Sequence, residues 1–173
     1  TIIVNLFEGV TAPGGATGAV DMALGGAISD LIAGGDFKGK AGEVAVLYPH
    51  GAIAARRVLV VGLGKADSYN LEGVRRASAA SIKRARDLNA RHVATIVHGA
   101  GIGGLNVRAA AQATVEGALL SAYRFDAPKK REPANDIGSL TLVEFDESRI
   151  DAVAAGAKAA EAVAACVYLA RDL

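Results

Sequence analysis

Apolar residues in this chain form short continuous runs and longer segments with helical spacing, a pattern that predicts strands alternating with helices. Residues 1–7 are mostly apolar and β-branched, typical of a buried strand that ends at Glu8 and Gly9. Four further apolar runs predict strands at residues 43–48, 57–61, 93–97 and 140–145. Only a short turn around Gly51 separates the second strand from the third, so these two are expected to pair as an antiparallel hairpin.

Between the strands, apolar side chains recur at steps of three and four residues, the spacing of a helix with one buried face. Helices are predicted at residues 19–33, 71–90 and 107–123, and from Ser148 or Asp151, either of which could cap the helix, to about Ala170. Gly34 and Gly35 are expected to end the first helix, and Asn70 to cap the second. Loops are predicted at residues 11–18, which are rich in glycine and proline, and at the polar residues 129–138.

The order of these elements predicts one α/β domain with helices on both faces of the sheet, a three-layer α/β/α arrangement. The antiparallel hairpin makes the sheet mixed. The last helix is apolar nearly all round over residues 152–170, so it is expected to pack against its own domain and to continue toward a further one. Its charge-free stretch, residues 162–170, is too short to predict a membrane span.

Composition narrows the class of protein. With 173 residues, 51% of them hydrophobic, the chain is long enough to bury a core and too apolar to be disordered. A net charge of +1 provides no overall attraction to nucleic acid or to an acidic membrane. The single cysteine, Cys166, excludes an internal disulfide, fits a reducing compartment and is expected to be a small buried hydrophobic residue. The first residues lack the basic and long apolar segments of a signal peptide.

A glycine-rich segment at residues 99–104 is the strongest candidate for a ligand site. It matches the Gly-x-Gly-x-x-Gly pattern of dinucleotide-binding proteins and lies between a predicted strand and a predicted helix. The pattern also requires a second strand that ends in an acidic residue about 20 positions on, but the helix runs into residues 124–128 (Arg-Phe-Asp-Ala-Pro). A structural turn is therefore favoured over nucleotide binding, while the amino end of the helix could still hold an anion.

Other residues able to carry chemistry are scattered. The three histidines are not spaced from one another or from Cys166 as zinc ligands are; they are His50, His92 and His98. Residues 62–65 (Gly-Leu-Gly-Lys) lack the spacing and the hydroxyl residue of a phosphate loop. The sequence therefore predicts no catalytic, cofactor-binding or metal-binding residue in this chain.

Two charged segments allow either a solvated surface or contact with a partner. For the charged loop at residues 36–43, the alternatives are a solvated connection with two glycine turns and a contact loop to another domain or subunit. The polar face of the helix at 71–90 is basic, with Arg75, Arg76, Lys83, Arg84, Arg86 and the following Arg91. A solvated face is favoured over nucleic-acid contact, because no aromatic residues lie among the charges.

Four segments carry a family pattern. They are Ala-Leu-Gly-Gly at 23–26 with Gly-Asp-Phe-Lys-Gly-Lys-Ala-Gly-Glu at 35–43, Val-Leu-Val-Val-Gly-Leu-Gly-Lys at 58–65, Glu-Gly-Ala-Leu-Leu-Ser-Ala-Tyr-Arg-Phe-Asp at 116–126, and Ala-Arg-Asp-Leu at 170–173. Together, in this order and spacing, they resemble the amino-terminal domain of the cytosol (leucyl) aminopeptidase family across almost the whole chain. The resemblance implies a macro-domain-like α/β fold, in agreement with the predicted order of elements.

The resemblance further implies a parent protein that is a cytoplasmic, hexameric metallo-aminopeptidase. Such enzymes remove amino-terminal amino acids from peptides, using two divalent ions (zinc, manganese or magnesium) to activate water and polarise the first peptide carbonyl. The family's metal-binding signature, Asn-Thr-Asp-Ala-Glu-Gly-Arg-Leu, does not occur here. Residues 1–173 are therefore expected to be a single regulatory or assembly domain, inactive alone, whose partner is a catalytic domain that follows Leu173 and binds the peptide substrates.

Both ends of the chain are expected to be cut. Thr1 opens inside an apolar run without an initiator methionine, so the first strand is expected to lack a few residues. Residues 171–173 follow an alanine-rich helical stretch with no glycine or proline, where the resemblance implies a domain junction. Two rival hypotheses remain: a macro-domain-like module that binds a nucleotide or ADP-ribose at glycine turns, and a nucleic-acid contact through the basic helix face.

Overall fold

A five-stranded sheet forms the centre of the computed structural model, which describes residues 1–101, 103–123 and 136–173. Its strands are β1 (Ile2–Leu6), β2 (Val44–Leu47), β3 (Val58–Gly62), β4 (His92–Ile96) and β5 (Ser139–Val143), in the order β2-β3-β1-β4-β5. β2 pairs antiparallel with β3, and the other neighbouring strands pair in parallel. The predicted mixed sheet and its antiparallel hairpin are confirmed.

Helices cover both faces of this sheet. They are α1 (Gly15–Ala23), α2 (Ala27–Ala33), α3 (Leu71–Asp87), α4 (Val107–Ala122) and α5 (Ile150–Asp172). Successive side chains of a strand point to opposite faces, so Val58 and Val60 of β3 pack with Ile28 of α2, whereas Leu59 and Val61 pack on the side of α3. The predicted three-layer α/β/α arrangement is confirmed.

The predicted helix at 19–33 is wrong, because this segment forms two helices bent by 106°. α1 already begins at Gly15, so the loop predicted at 11–18 is too long. The break falls at Gly25 and Gly26, whose φ angles of +66° and +91° are left-handed and interrupt a right-handed helix. Asp21 of α1 then caps α2, since its Oδ1 accepts from the backbone nitrogens of Ile28 at 2.7 Å and Ser29 at 3.1 Å.

The predicted cap of the last helix is also wrong, because neither Ser148 nor Asp151 caps α5. A short 3₁₀ turn over Glu147–Arg149 precedes the helix, and Arg149 stands at the capping position without a side-chain hydrogen bond. The side chain of Asp146 instead accepts from the backbone nitrogen of Ser148 at 3.0 Å and so caps the 3₁₀ turn. Asn70, by contrast, caps α3 as predicted, accepting from Glu72 and Gly73.

α5 packs along α4 through a seam of small residues. A side chain at Gly156 would come within 2.4 Å of the backbone oxygen of Arg108, so the two helices touch backbone to backbone there. The opposite surface of α5 is open: Leu169 is 66% exposed, and Cys166 is exposed rather than buried as the sequence predicted. The helical segment at residues 147–172 is long and apolar enough to cross a membrane, a test that core helices of soluble proteins also pass.

Part of the sequence prediction lies outside the described residues. Residues 124–128, where the helix predicted at 107–123 is expected to close, belong to this part, as does most of the predicted loop at 129–138. One position of the glycine segment, Ile102, is outside them as well.

Candidate functional site

A cleft of about 460 Å³ opens at the carboxyl ends of β1, β4 and β5. From β1 the chain continues toward β3 on one side, whereas from β4 it continues to β5 on the other. In open α/β sheets, ligands bind in the crevice outside the strand ends where the strand order reverses in this way. We call this cavity the switch-point cleft; its walls are residues 5–7, residues 14–17 at the start of α1, residues 96–101 without His98, Gly103, residues 143–145, Val10, Ala12, Leu63 and Arg149.

The predicted glycine segment lies at this cleft, and packing accounts for two of its four glycines. A side chain at Gly99 would come within 2.7 Å of the Tyr69 ring, and one at Gly103 within 2.7 Å of the Gly99 carbonyl oxygen. Gly101 has open space around its Cα and lines the cleft. The segment is therefore a tightly packed turn, the interpretation favoured from the sequence. It also forms one wall of the switch-point cleft.

The amino end of α1 lies in the wall of this cleft, and it differs from the amino end of α4, which follows the glycine segment. Asn106 caps α4 by accepting from the backbone nitrogen of Ala109 at 3.1 Å, so an anion at the predicted place would compete with this side chain. α1 begins after Gly14 with no side-chain cap and no acidic residue in its first turn. Since the first amides of a helix have no partner within the helix, α1 provides the free donors that the sequence assigned to α4.

Asn5 and His98 form a polar pair beside the cleft. Asn5 lines the cleft, and its Nδ2 lies 2.9 Å from Nδ1 of His98, which has 0% of its surface exposed. Burial lowers the pKa of His98 to about 4, so the ring is neutral at pH 7. With Asn5 Nδ2 as the donor, Nδ1 of this neutral ring is the acceptor. Sequence reasoning considered His98 only as a metal ligand, and no spacing signal connects it with a residue 93 positions away.

The residues present do not form a metal centre. His92 lies at the start of β4 and bonds to Ser139 Oγ at 2.9 Å, while His98 is buried beyond its other end. Within the described residues, no group of three or more histidine, cysteine, aspartate or glutamate side chains comes together. A two-metal site of the kind that the family resemblance implies therefore does not fit the described part of this chain.

The charged loop at residues 36–43 is folded onto the domain. The Glu43 carboxylate accepts from the backbone nitrogens of Lys38 and Lys40, each at 3.0 Å. Phe37 is 1% exposed in the core beneath α2. A side chain at Gly39 would come within 2.6 Å of the Phe7 carbonyl oxygen. These contacts within the domain account for the residues of this family segment without a partner. They favour a solvated connection between elements over a contact loop to another domain or subunit.

The basic face of α3 is partly neutralised within the domain. Arg75 pairs with Glu116 at 2.7 Å and Arg76 with Glu72 at 3.0 Å. Nη1 of Arg86 donates to the Ser121 carbonyl oxygen at 3.3 Å. Exposed cations remain at Lys83, Arg84 and Arg91. This smaller patch weakens the rival hypothesis of a nucleic-acid contact and agrees with the favoured solvated face.

Residues 3–132 match the cytosol aminopeptidase family, N-terminal domain. The chain belongs to this family. A probable cytosol aminopeptidase of Roseiflexus castenholzii is 38% identical over 149 residues, which cover 84% of this chain and 30% of that protein. A second, from Alkaliphilus oremlandii, is 32% identical over 85% of this chain and 30% of that protein. The chain thus spans about 30% of the length of these relatives.

Solved structures share this fold. The bottromycin maturation enzyme BotP in complex with Mn is 28% identical over 99% of this chain and 31% of its own, with a TM-score of 0.66. A mutant tomato leucine aminopeptidase shares the fold with a TM-score of 0.72 and 20% identity over 95% of this chain and 33% of its own. The Trypanosoma brucei macrodomain in complex with ADP also shares the fold, with a TM-score of 0.67 and 17% identity over 88% of this chain and 60% of its own. The predicted macro-domain-like fold is confirmed.

Proposed function

We propose that this chain is the amino-terminal, non-catalytic domain of a two-metal leucyl-type aminopeptidase and acts in regulation or assembly. The observation that carries the proposal is the family match over residues 3–132. The parent hydrolyses peptides from their amino end with two zinc or manganese ions held by a separate catalytic domain. A neighbour of known structure was solved in complex with Mn, which supports a metal-dependent parent.

The parent is a cytoplasmic homohexamer, and its catalytic domain follows Leu173. The name cytosol aminopeptidase, shared by the relatives, supports the location, and the 30% coverage of their length supports a further domain. Hexamer formation is measured on the parent by light scattering. A monomeric parent would contradict the assembly role.

The open end of α5 supports a contact with the remaining polypeptide. Between Glu161 and Arg171 there is no charged residue, and within this stretch Val163 is 41% and Leu169 66% exposed. A helix that is apolar nearly all round is normally buried. Tyr123 Oη donates to Asp172 Oδ1 at 2.6 Å and secures the last turn on α4, so the apolar surface is presented by an anchored helix.

The central test is an activity assay. Residues 1–173, incubated with a leucine amide substrate and added Mn²⁺, are expected to give no turnover above the blank, because the described residues do not form a metal centre. The matched positive control is the full-length Roseiflexus castenholzii relative under the same conditions. Turnover by the isolated chain that is lost with a chelator would overturn the non-catalytic assignment.

A second candidate function is binding of a nucleotide or ADP-ribose in the switch-point cleft. The observation that favours it is the position of the cleft where the strand order reverses, with uncapped amides of α1 in its wall. A macrodomain of the same fold was solved in complex with ADP. Calorimetry with ADP-ribose and with ADP tests it: micromolar affinity is expected, and no heat at millimolar ligand would remove this function.

A further inference from the structure

Asn5 lines the switch-point cleft, and the hydrogen-bonding capacity of its carboxamide is only partly used within the domain. Its Nδ2 donates one hydrogen to His98 Nδ1 at 2.9 Å. Within the described ranges no other residue hydrogen-bonds to this carboxamide, and its oxygen is not among the buried unpartnered atoms. Oδ1 and the second hydrogen of Nδ2 are therefore available to a molecule in the cleft, one as acceptor and one as donor.

Both members of the pair are anchored from several elements. The Asn5 carbonyl oxygen accepts from Thr17 Oγ1 of α1 at 2.7 Å. The backbone nitrogen of His98 donates to Thr114 Oγ1 of α4 at 3.3 Å, and this hydroxyl donates to the Ala110 carbonyl oxygen at 2.8 Å. The backbone at both members of the pair is therefore held in place. A side chain that recognises a ligand by hydrogen bonds needs such pre-organisation.

A histidine at position 98 lowers the stability of the fold, so packing alone does not explain its presence. Since Nδ1 accepts from Asn5, the ring proton is on Nε2, which is buried and has no partner among the described residues. A buried donor without an acceptor destabilises a fold, whereas an apolar side chain of similar shape would not. What His98 contributes in return is the acceptor at Nδ1, which orients the carboxamide of Asn5.

We propose that Asn5 reads a hydroxyl or amide group of a nucleotide-like ligand in the switch-point cleft and that His98 is the positioning residue for Asn5. This inference rests on the second candidate function and names the side chain on which selectivity depends. The anionic part of the ligand lies toward the uncapped start of α1, and the group that Asn5 reads is neutral. A ligand without such a group, for example pyrophosphate, lacks this contact.

Calorimetry on residues 1–173 with ADP-ribose tests the role of Asn5. Asn5→Ala is expected to raise the Kd at least about tenfold, the effect of one lost hydrogen bond that leaves its partner unpaired. Asn70→Ala is the matched control, since it removes an exposed cap of α3 far along the chain and is expected to leave the Kd unchanged. Pyrophosphate, bound through its charge alone, is expected to show equal affinity in both variants.

Two substitutions of His98 separate positioning from a structural role. His98→Leu removes the acceptor and is expected to weaken ADP-ribose binding about as much as Asn5→Ala. His98→Gln provides a carboxamide oxygen as acceptor and is expected to keep most of the affinity, and thermal melts check that both variants remain folded. His92→Gln, at the exposed histidine that begins β4, is the matched control. Equal loss in His98→Leu and His98→Gln would overturn the positioning role.

The outcomes distinguish the inference from the function on which it rests. If the unaltered chain does not bind ADP-ribose or ADP at millimolar concentration, the second candidate function and this inference both fail. If it binds and Asn5→Ala changes the Kd by less than twofold, only the inference fails. Should His98 variants not fold, NMR of the unaltered chain decides: the Asn5 side-chain amide signals are expected to shift with ADP-ribose and those of Asn70 to stay. Unmoved Asn5 signals would overturn the proposal.

Discussion

Arg75 of α3 donates from Nε to Oε2 of Glu116 on α4 at 2.7 Å. Glu116 is 5% exposed, and its other carboxylate oxygen accepts from Gln112 at 2.7 Å. A side chain at Gly117 would come within 2.3 Å of the Arg75 carbonyl oxygen, so α3 and α4 touch beside this pair. The ion pair therefore lies at a close approach of the two helices, and it satisfies a carboxylate that the packing buries.

Arg75→Ala is expected to lower the free energy of unfolding by about 1–3 kcal/mol, because it leaves the Glu116 carboxylate buried with only Gln112 as partner. Arg76→Ala is the control. Arg76 pairs with Glu72 on the surface of the same helix, so its removal is expected to cost at most about 0.5 kcal/mol. Urea denaturation of both variants measures the difference. Equal effects would show that burial of Glu116 does not matter.

His98 is expected to make the fold sensitive to acid. Its pKa in the folded protein is about 4, below the ordinary value of 6.5 that applies to the unfolded chain. Between these values the unfolded chain binds a proton that the folded protein does not, so stability falls as the pH is lowered through this window, by up to about 3 kcal/mol. Denaturation at pH 7 and pH 4.5 is expected to show a smaller difference in His98→Gln than in His92→Gln. The same difference in both would refute this assignment.

Asp21 is expected to contribute stability as the cap of α2. Burial by itself would raise the pKa of this carboxyl, but the hydrogen bonds from Ser29 and Ile28 outweigh it and hold the pKa below its ordinary value. A lowered pKa means that the contribution is present above about pH 4 and is lost as the pH falls through the folded pKa. Asp21→Ala is expected to cost about 1–2 kcal/mol at pH 7. Asp30→Ala, at an exposed position in α2, is expected to change little.

Gly62, at the end of β3, and Gly101, in the turn after β4, are expected to differ in their tolerance of alanine. A side chain at Gly62 would come within 2.1 Å of the Lys40 carbonyl oxygen, so the loop at residues 36–43 would have to move. Gly62→Ala is expected to destabilise by about 1–3 kcal/mol, the usual cost of overpacking. Gly101→Ala has open space and is expected to be nearly neutral. Thermal melts measure both, and a neutral Gly62→Ala would contradict the close approach.

The apolar spacing across α1 and α2 did not predict the break between these two helices. Apolar residues such as Val20, Ile28 and Leu31 keep three- and four-residue steps across the break, because both helices press the same kind of face onto the sheet. The spacing therefore predicted a single helix. The signal for the break was Gly25-Gly26 with Asp21 ahead of it, but a cap supplied from the preceding helix depends on a bend that periodicity does not record.

The candidate site was only partly predictable. The glycine turn at 99–104 was found from its pattern, because turn chemistry is local. The cleft beside it was not, since it depends on β1 lying next to β4 in the sheet. Asn5 received no role at all. It is a single polar residue in an apolar strand, and only its partner His98, in the turn after β4, distinguishes it from other strand residues.

The sequence alone determined the strands, most helices, the mixed sheet and the family, because these follow from periodicity, turn residues and segment order along the chain. The tertiary structure decided which strand ends meet, where the cleft opens, that His98 is buried and neutral against Asn5, and that Cys166 and the end of α5 are exposed. Those properties depend on contacts between residues far apart in sequence. Local preferences do not encode such contacts, since each one exists only when the whole sheet and its helices have assembled.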